Sequence, residues 1–273
     1  MQRDVYHGLL GTRARAVWLT ALTIGLVVAL PAATAQAPAR LLVTVLDADG
    51  APVAGLTRED FTLRLDGTER EVVSVEPVAT TVQVVAIFEG LAATQRQTSA
   101  AITSFIASLD DDSIVDMQSV DGQLDAAIVE AVDDLHARGA SRPVIVMIGQ
   151  ATEIVPSAFQ SSQVRGKRQA ADLSGDLDQL ARLLAEHGIL FHGVSVTEIS
   201  LANFRTLAAG TGGRFEVLAA PAGLSDTLTN IGRELGTQYL VSYAPDPPSG
   251  TPPVLDVTRP GLRVRAAPFD PTH

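Results

Sequence analysis

Cysteine is absent from the 273-residue chain. Its absence excludes disulfides, thiolate metal sites, thiol nucleophiles and a lipid-modified N-terminal cysteine together. Aromatic residues make up only 4%, so a core has to be assembled from Val, Leu, Ile and Ala. Basic residues are scarce as well: 20 Lys and Arg stand against 31 Asp and Glu, a formal charge of −11. A chain of that sign gains nothing from a phosphate backbone, which argues against nucleic acid as a partner. Long apolar runs are also missing. The uncharged stretch Ala16–Leu30 has 15 residues, short of the roughly 20 a spanning helix needs.

What is present is 46% apolar and 19% charged, enough for one large or two modest domains and too apolar for a disordered chain. Residues 1–35 read as an export signal. Arg3, Arg13 and Arg15 against Asp4 form a basic start, Ala16–Leu30 an apolar middle, and Ala33-Thr34-Ala35 an A-x-A site after Pro31. Cleavage is expected after Ala35, taking Trp18, the only tryptophan, with it. The destination is then the periplasm or the medium. A membrane contact would come only through this leader, kept as an anchor if cleavage fails.

The remainder divides into a β segment over 36–80, a strand–helix region over 81–245, and a Pro-rich C-terminal hairpin or tail over 246–273. In the first, Leu41–Leu46 is an apolar strand ended by the turn signal Asp47-Ala48-Asp49-Gly50, and Thr57 opens a single helical turn. Phe61–Leu65 and Glu71–Val75 flank Asp66-Gly67 as a hairpin. In the second, Val82–Phe88, Ile114–Val120, Val144–Ile148, Ile189–Val196, Arg214–Leu218 and Tyr239–Tyr243 read as strands. The stretches Gln95–Leu109, Leu124–His136, Leu177–His187, Leu201–Ala209 and Leu224–Leu235 carry helical periodicity. That alternation predicts an α/β fold with a doubly wound, mostly parallel sheet. Val254–Val257 and Leu262–Ala266 are expected to form a hairpin that joins the first zone in a small β subdomain built from both chain ends.

The run Leu42–Phe61, with Asp47, Gly50, Pro52-Val53, Gly55-Leu56-Thr57 and Asp60-Phe61, resembles the "V-x-D-x-x-G-x-P-V-x-G-L-T-x-x-D-F" opening of exported bacterial proteins carrying a von Willebrand factor A-related domain. Gln238-Tyr239-Leu240-Val241-Ser242-Tyr243-Ala244-Pro245 is similar to that family's "Q-Y-x-L-x-Y-x-P" strand, and Arg259–Arg265 to its closing strand. The resemblance implies a von Willebrand A-like, Rossmann-like fold. It also implies a divalent-cation site at the carboxyl end of the sheet, held by Asp-x-Ser-x-Ser, a Thr and an Asp. Here Glu89 stands for the first Asp, Leu91 and Ala93 for the serines, Gln123 for the Thr, and Gly149-Gln150-Ala151 for Thr-Asp-Gly. Mg²⁺ needs octahedral oxygen ligands, and two of these positions have no side-chain oxygen. The site is therefore expected to be degenerate, with no metal and no other cofactor. One strand fewer than usual is also in prospect, because Ile114–Leu124 is short for a pair of strands.

Other candidate chemistry reads as structural. Asp47-x-Asp49-Gly50 begins like a calcium loop but runs into Ala51-Pro52, so a turn is expected, and Asp110-Asp111-Asp112 is expected to be a solvated loop. Asp172, Asp176 and Asp178 suit a helix start. Gly210-Thr211-Gly212-Gly213 follows a helix and precedes a strand, the reverse of a dinucleotide fingerprint. His136 and His187 sit at helix C-termini and His192 in a buried strand, without a nucleophile elbow nearby. Arg165-Gly166-Lys167-Arg168 reads as an exposed basic loop. The expected function is an exported, non-enzymatic protein-binding or scaffold module, meeting an unknown protein through the carboxyl edge of the sheet. Glu89, Gly90, Gln150, Thr152, Glu153 and Glu198 would line that rim. The alternatives are a structural subunit of an envelope assembly docking through the β subdomain, or a hydrolase using the crevice at the sheet edge.

Overall fold

The computed structural model describes residues 38–89, 95–120, 124–149, 174–196, 202–244 and 252–269. The chain opens with β1 (Ala39–Leu46), in which six consecutive residues are buried. Such a run, with no polar face, requires cover on both sides of the strand. The turn after it is closed by Asp47, whose Oδ1 accepts the backbone N–H of Asp49 and of Ala51, each at 2.9 Å. The carboxylate is thus spent on the turn. A single 3-10 turn, Arg58–Asp60, follows. Asp60 accepts the Thr57 N–H at 2.8 Å, and Arg259 grips the same carboxylate with two bonds of 2.7 and 2.8 Å.

β2 (Phe61–Leu65) turns through Asp66 and Gly67, with φ of 51° and 75°. Two successive positive φ values are what a two-residue hairpin matching the strand twist demands. The return strand is β3 (Thr68–Arg70), with Leu65 opposite Thr68. The expected return strand Glu71–Val75 instead corresponds to β4 (Val72–Pro77), which leaves this sheet for another.

Next come β5 (Gln83–Glu89), α1 (Gln95–Ile106), β6 (Ile114–Val120), α2 (Leu124–Ala137), β7 (Pro143–Gly149), α3 (Ser174–Glu186), β8 (Leu190–Ser195), α4 (Ala202–Gly210), β9 (Phe215–Val217) and α5 (Leu224–Gly236). The five strands form a parallel sheet in the order β6-β5-β7-β8-β9. Alternate side chains of each strand reach opposite faces. Val85, Ile87, Ile145, Met147 and Phe191 pack on α2, α3 and α4. Val84, Val146, Ile148, Leu190 and Val194 pack on α1 and α5. The fold is α/β and doubly wound, with the single strand β6 between α1 and α2.

The chain ends with β10 (Tyr239–Tyr243), β11 (Val254–Val257) and β12 (Arg263–Pro268). Two antiparallel sheets, β12-β1-β10-β4 and β11-β2-β3, enclose a separate core of Leu41, Val43, Phe61, Leu63, Tyr239 and Val241. The Tyr239 hydroxyl donates to Val53 O at 2.8 Å and accepts the Leu56 N–H at 3.2 Å. Both chain ends build this β subdomain, but two expectations are corrected. Tyr239–Tyr243 lies between β1 and β4 rather than in the parallel sheet. The two C-terminal strands are not a hairpin: β11 pairs with β2 and β12 with β1. The face of β1 turned away from this core carries Leu42 into the α1–α5 layer, so the four-stranded sheet is shared by both cores.

Two glycines mark close approaches. A Cβ on Gly232 of α5 would run into the Ser108 side chain at the end of α1, and one on Gly213 would overlap the Phe191 carbonyl oxygen. The second clash involves backbone and has no rotamer escape. Gly213→Ala is expected to lower stability by about 2 kcal/mol, read as a reduced urea midpoint. Gly210→Ala, where nothing lies within 4 Å, should stay within about 0.5 kcal/mol of the parent.

Candidate functional site

The carboxyl edge of the parallel sheet is the place its topology prepares for a ligand. β5 and β7 are neighbours, with Phe88 opposite Ile148, while β6 lies outside β5 and β8 outside β7. The winding therefore reverses between β5 and β7, and in open α/β sheets ligands bind beyond the carboxyl ends of the strands at such a reversal. Glu89 is the last residue of β5, opposite Val120. Gly149 ends β7 opposite Ser195, and its carbonyl accepts the Val196 N–H at 3.0 Å. Of the six rim residues read from the sequence, only the Glu89 backbone is described. Gly90, Gln150, Thr152, Glu153 and Glu198 lie outside the described residues, as do Leu91, Ala93, Gln123, Ala151 and the basic run Arg165–Arg168. Among the described residues, no group of three His, Asp or Glu side chains is placed to share a metal ion.

The described polar centre lies elsewhere, beside α5. Glu234, 1% exposed, accepts from Arg214 on one carboxylate oxygen and from Arg265 on the other. Arg214 also pairs with Glu216. His192, on β8, is equally buried, and its Nδ1 accepts the Arg214 backbone N–H at 3.3 Å. Burial, reinforced by the positive charges of Arg265 and Arg214, pushes the His192 imidazole well below its usual range. It stays neutral at physiological pH, and an imidazole of such low proton affinity makes a poor general base. The structural role read from its strand position agrees with this.

In front of this centre a cleft of about 750 Å³ opens between β9 and β12. Arg214, Phe215 and Glu216 line one wall and Arg263, Val264 and Arg265 another. The Arg205 guanidinium sits 5.8 Å from the Phe215 ring. Asp49, Glu216 and Asp256 balance the three arginines of the lining, so the cleft is not an anion trap. Sequence reasoning did not find this cluster. The one available signal was the Arg263-x-Arg265 alternation, which puts both guanidinium groups on one face of a strand.

A second feature also escaped the sequence reading. His136, near the end of α2, and His187, just after α3, are brought together with ring centroids 4.7 Å apart. They lie at the amino edge of the sheet, opposite the rim.

No family model matches the chain, and no curated protein matches it. It is similar to a solved structure described as von Willebrand factor type A from Catenulispora acidiphila, at 10% identity and a TM-score of 0.45, over 75% of this chain and 51% of that one. It is also similar to the human COPII-coat protein Sec24c, at 9% identity and a TM-score of 0.39, over 70% of this chain and 44% of the other. The chain thus spans about half the length of these two structures.

The state of His192 makes stability depend on pH. Its native proton affinity is depressed, so below about pH 6.5 the unfolded chain takes up a proton that the native state refuses. Stability contributed by this group is complete above that pH and falls on acidification. Urea unfolding across pH 5 to 8 should show a loss approaching about 1.4 kcal/mol per pH unit. His192→Asn should remove that component of the slope, and an unchanged slope would contradict the assignment.

Proposed function

We propose that the protein is an exported, non-enzymatic protein-binding or scaffold module whose von Willebrand A-like domain holds no cation at its carboxyl rim. The observation that carries this reading is the composition of the segments leaving β5 and β7 at the winding reversal. Glu89-Gly90-Leu91-Ala92-Ala93 follows one strand and Gly149-Gln150-Ala151 the other. A hard divalent ion at such a place needs several carboxylate and hydroxyl oxygens. These segments supply one carboxylate, one amide and a series of methyl and isobutyl groups.

A crevice without an ion can still receive a partner through shape and direct hydrogen bonds. Glu89, Gly90, Gln150, Thr152, Glu153 and Glu198 are the residues proposed to meet it. The sign of the rim favours a partner surface with basic groups, because Glu89, Glu153 and Glu198 are its charged members. Export rests on the leader read from residues 1–35.

Calorimetric titration of the protein with Mg²⁺, Mn²⁺ and Ca²⁺ tests the central element. No heat assignable to the rim and no shift in melting temperature are expected. Micromolar binding that disappears in Glu89→Ala would overturn the reading. In the same preparation, Glu89→Ala with Gln150→Ala should weaken capture of a partner from the envelope fraction, whereas capture unaffected by both changes would move the interface off the rim.

A further inference from the structure

We propose that His136 and His187 form a two-histidine site for a borderline transition-metal ion such as Zn²⁺, Cu²⁺ or Ni²⁺, at the pole of the domain opposite the rim. Local structure creates the pair. His136 occupies the last turn of α2, and His187 comes directly after α3. Gly139 follows the first helix and Gly188 the second, with φ of 62° and 59°. These left-handed residues stop both helices abruptly. The chain then enters β7 and β8, which are adjacent in the sheet. Adjacent strands therefore bring the two helix ends, and the two imidazoles, side by side.

The geometry suits chelation. A ring nitrogen lies about 1.1 Å from its ring centroid and about 2.0–2.1 Å from a bound zinc, so each centroid would sit about 3.2 Å from the ion. Two such rings at angles between square-planar and tetrahedral have centroids about 4.5–5.2 Å apart. The observed separation is 4.7 Å, with the ring planes inclined at 63°. That separation falls within the range two rings sharing one ion would show. His136 is exposed and His187 half-buried, so ions and water can reach them. Among the described residues, neither side chain donates to or accepts from another.

The surroundings favour a cation. Helix C-termini carry partial negative charge from unpaired carbonyl groups, and two of them meet here. A shallow pocket, lined among others by His136, Gly139, Pro143 and His187, opens at the contact. With two protein nitrogens, the remaining coordination positions would be filled by water or by a ligand from another molecule. Imidazole nitrogen selects Zn²⁺, Cu²⁺ and Ni²⁺ over Mg²⁺ and Ca²⁺, which prefer oxygen. The site is therefore chemically distinct from a hard-cation site of the kind proposed to be absent at the rim.

Titration of the full chain with Zn²⁺, Ni²⁺ and Cu²⁺ at neutral pH tests the proposal. One ion per chain is expected, with a rise in melting temperature and, for Cu²⁺, an electron paramagnetic resonance spectrum showing two nitrogen ligands. His136→Gln and His187→Gln, at accessible positions that should leave the fold intact by circular dichroism, should each weaken binding at least tenfold. Absence of binding by the parent, or binding unchanged in both variants, would overturn the assignment. Because Mg²⁺, Mn²⁺ and Ca²⁺ probe the rim and these ions probe the imidazole pair, failure of one assignment leaves the other standing.

Discussion

Three guanidinium groups converge on the last turn of α5. Arg142, 2% exposed, donates to the Leu235 carbonyl and to Gln238 Oε1, while Arg214 and Arg265 share Glu234. Gln238 Nε2 passes the network on to Thr44 Oγ1 at 2.9 Å. These residues come from the approaches to β7, β9 and β10, and from β12 and β1, so one helical turn binds both sheet systems. Cations at a helix C-terminus answer the partial negative charge of its free carbonyls. Burial pushes the Arg142 guanidinium down to about 10, still far enough above neutrality to keep it charged. A buried ion cluster of this kind adds little net stability over an apolar one, yet removing one member leaves the others uncompensated. Its contacts join the β subdomain to the α/β layer.

That placement organises the rest of the molecule. The four-stranded sheet closes the α1–α5 side of the parallel sheet through Leu42, while its other face forms the sandwich core. With one face occupied this way and α2, α3 and α4 on the other, the ends of the parallel strands remain as the natural places for ligands. The carboxyl end holds the winding reversal, where the cation-free rim is proposed. The amino end holds the imidazoles of His136 and His187, with ring centroids 4.7 Å apart. The two poles differ in donor chemistry as well as in position.

Much of the fold is legible in the sequence because period and punctuation are strong. Helices α2 and α5 follow apolar residues at helical spacing, and Asp66-Gly67 announces its hairpin through its need for positive φ. Strand partners are less legible. Tyr239–Tyr243 reads as a buried strand, but an antiparallel strand covered on both faces shows the same apolar run as a parallel one. Val254–Val257 and Arg263–Pro268 look like hairpin arms because they are close in sequence, yet they join different sheets. Glu234 and the His136–His187 pair were invisible for a related reason. Nothing local marks a glutamate as buried when its two arginine partners are contributed by β12 and the segment entering β9. Two histidines at separate helix ends become neighbours only when β7 and β8 are known to be adjacent.

Native-state hydrogen exchange on the parent and on Glu234→Ala measures most directly whether the α5 turn unites the two sheet systems. In the parent, β1, β10 and the central strands β5, β7 and β8 should open together at one free energy. In Glu234→Ala, with Arg214 and Arg265 left buried without their shared carboxylate, global stability should fall by about 3–5 kcal/mol. The antiparallel sheet should then open before the parallel one. Parent and variant exchanging alike, with stability within about 0.5 kcal/mol, would contradict the account.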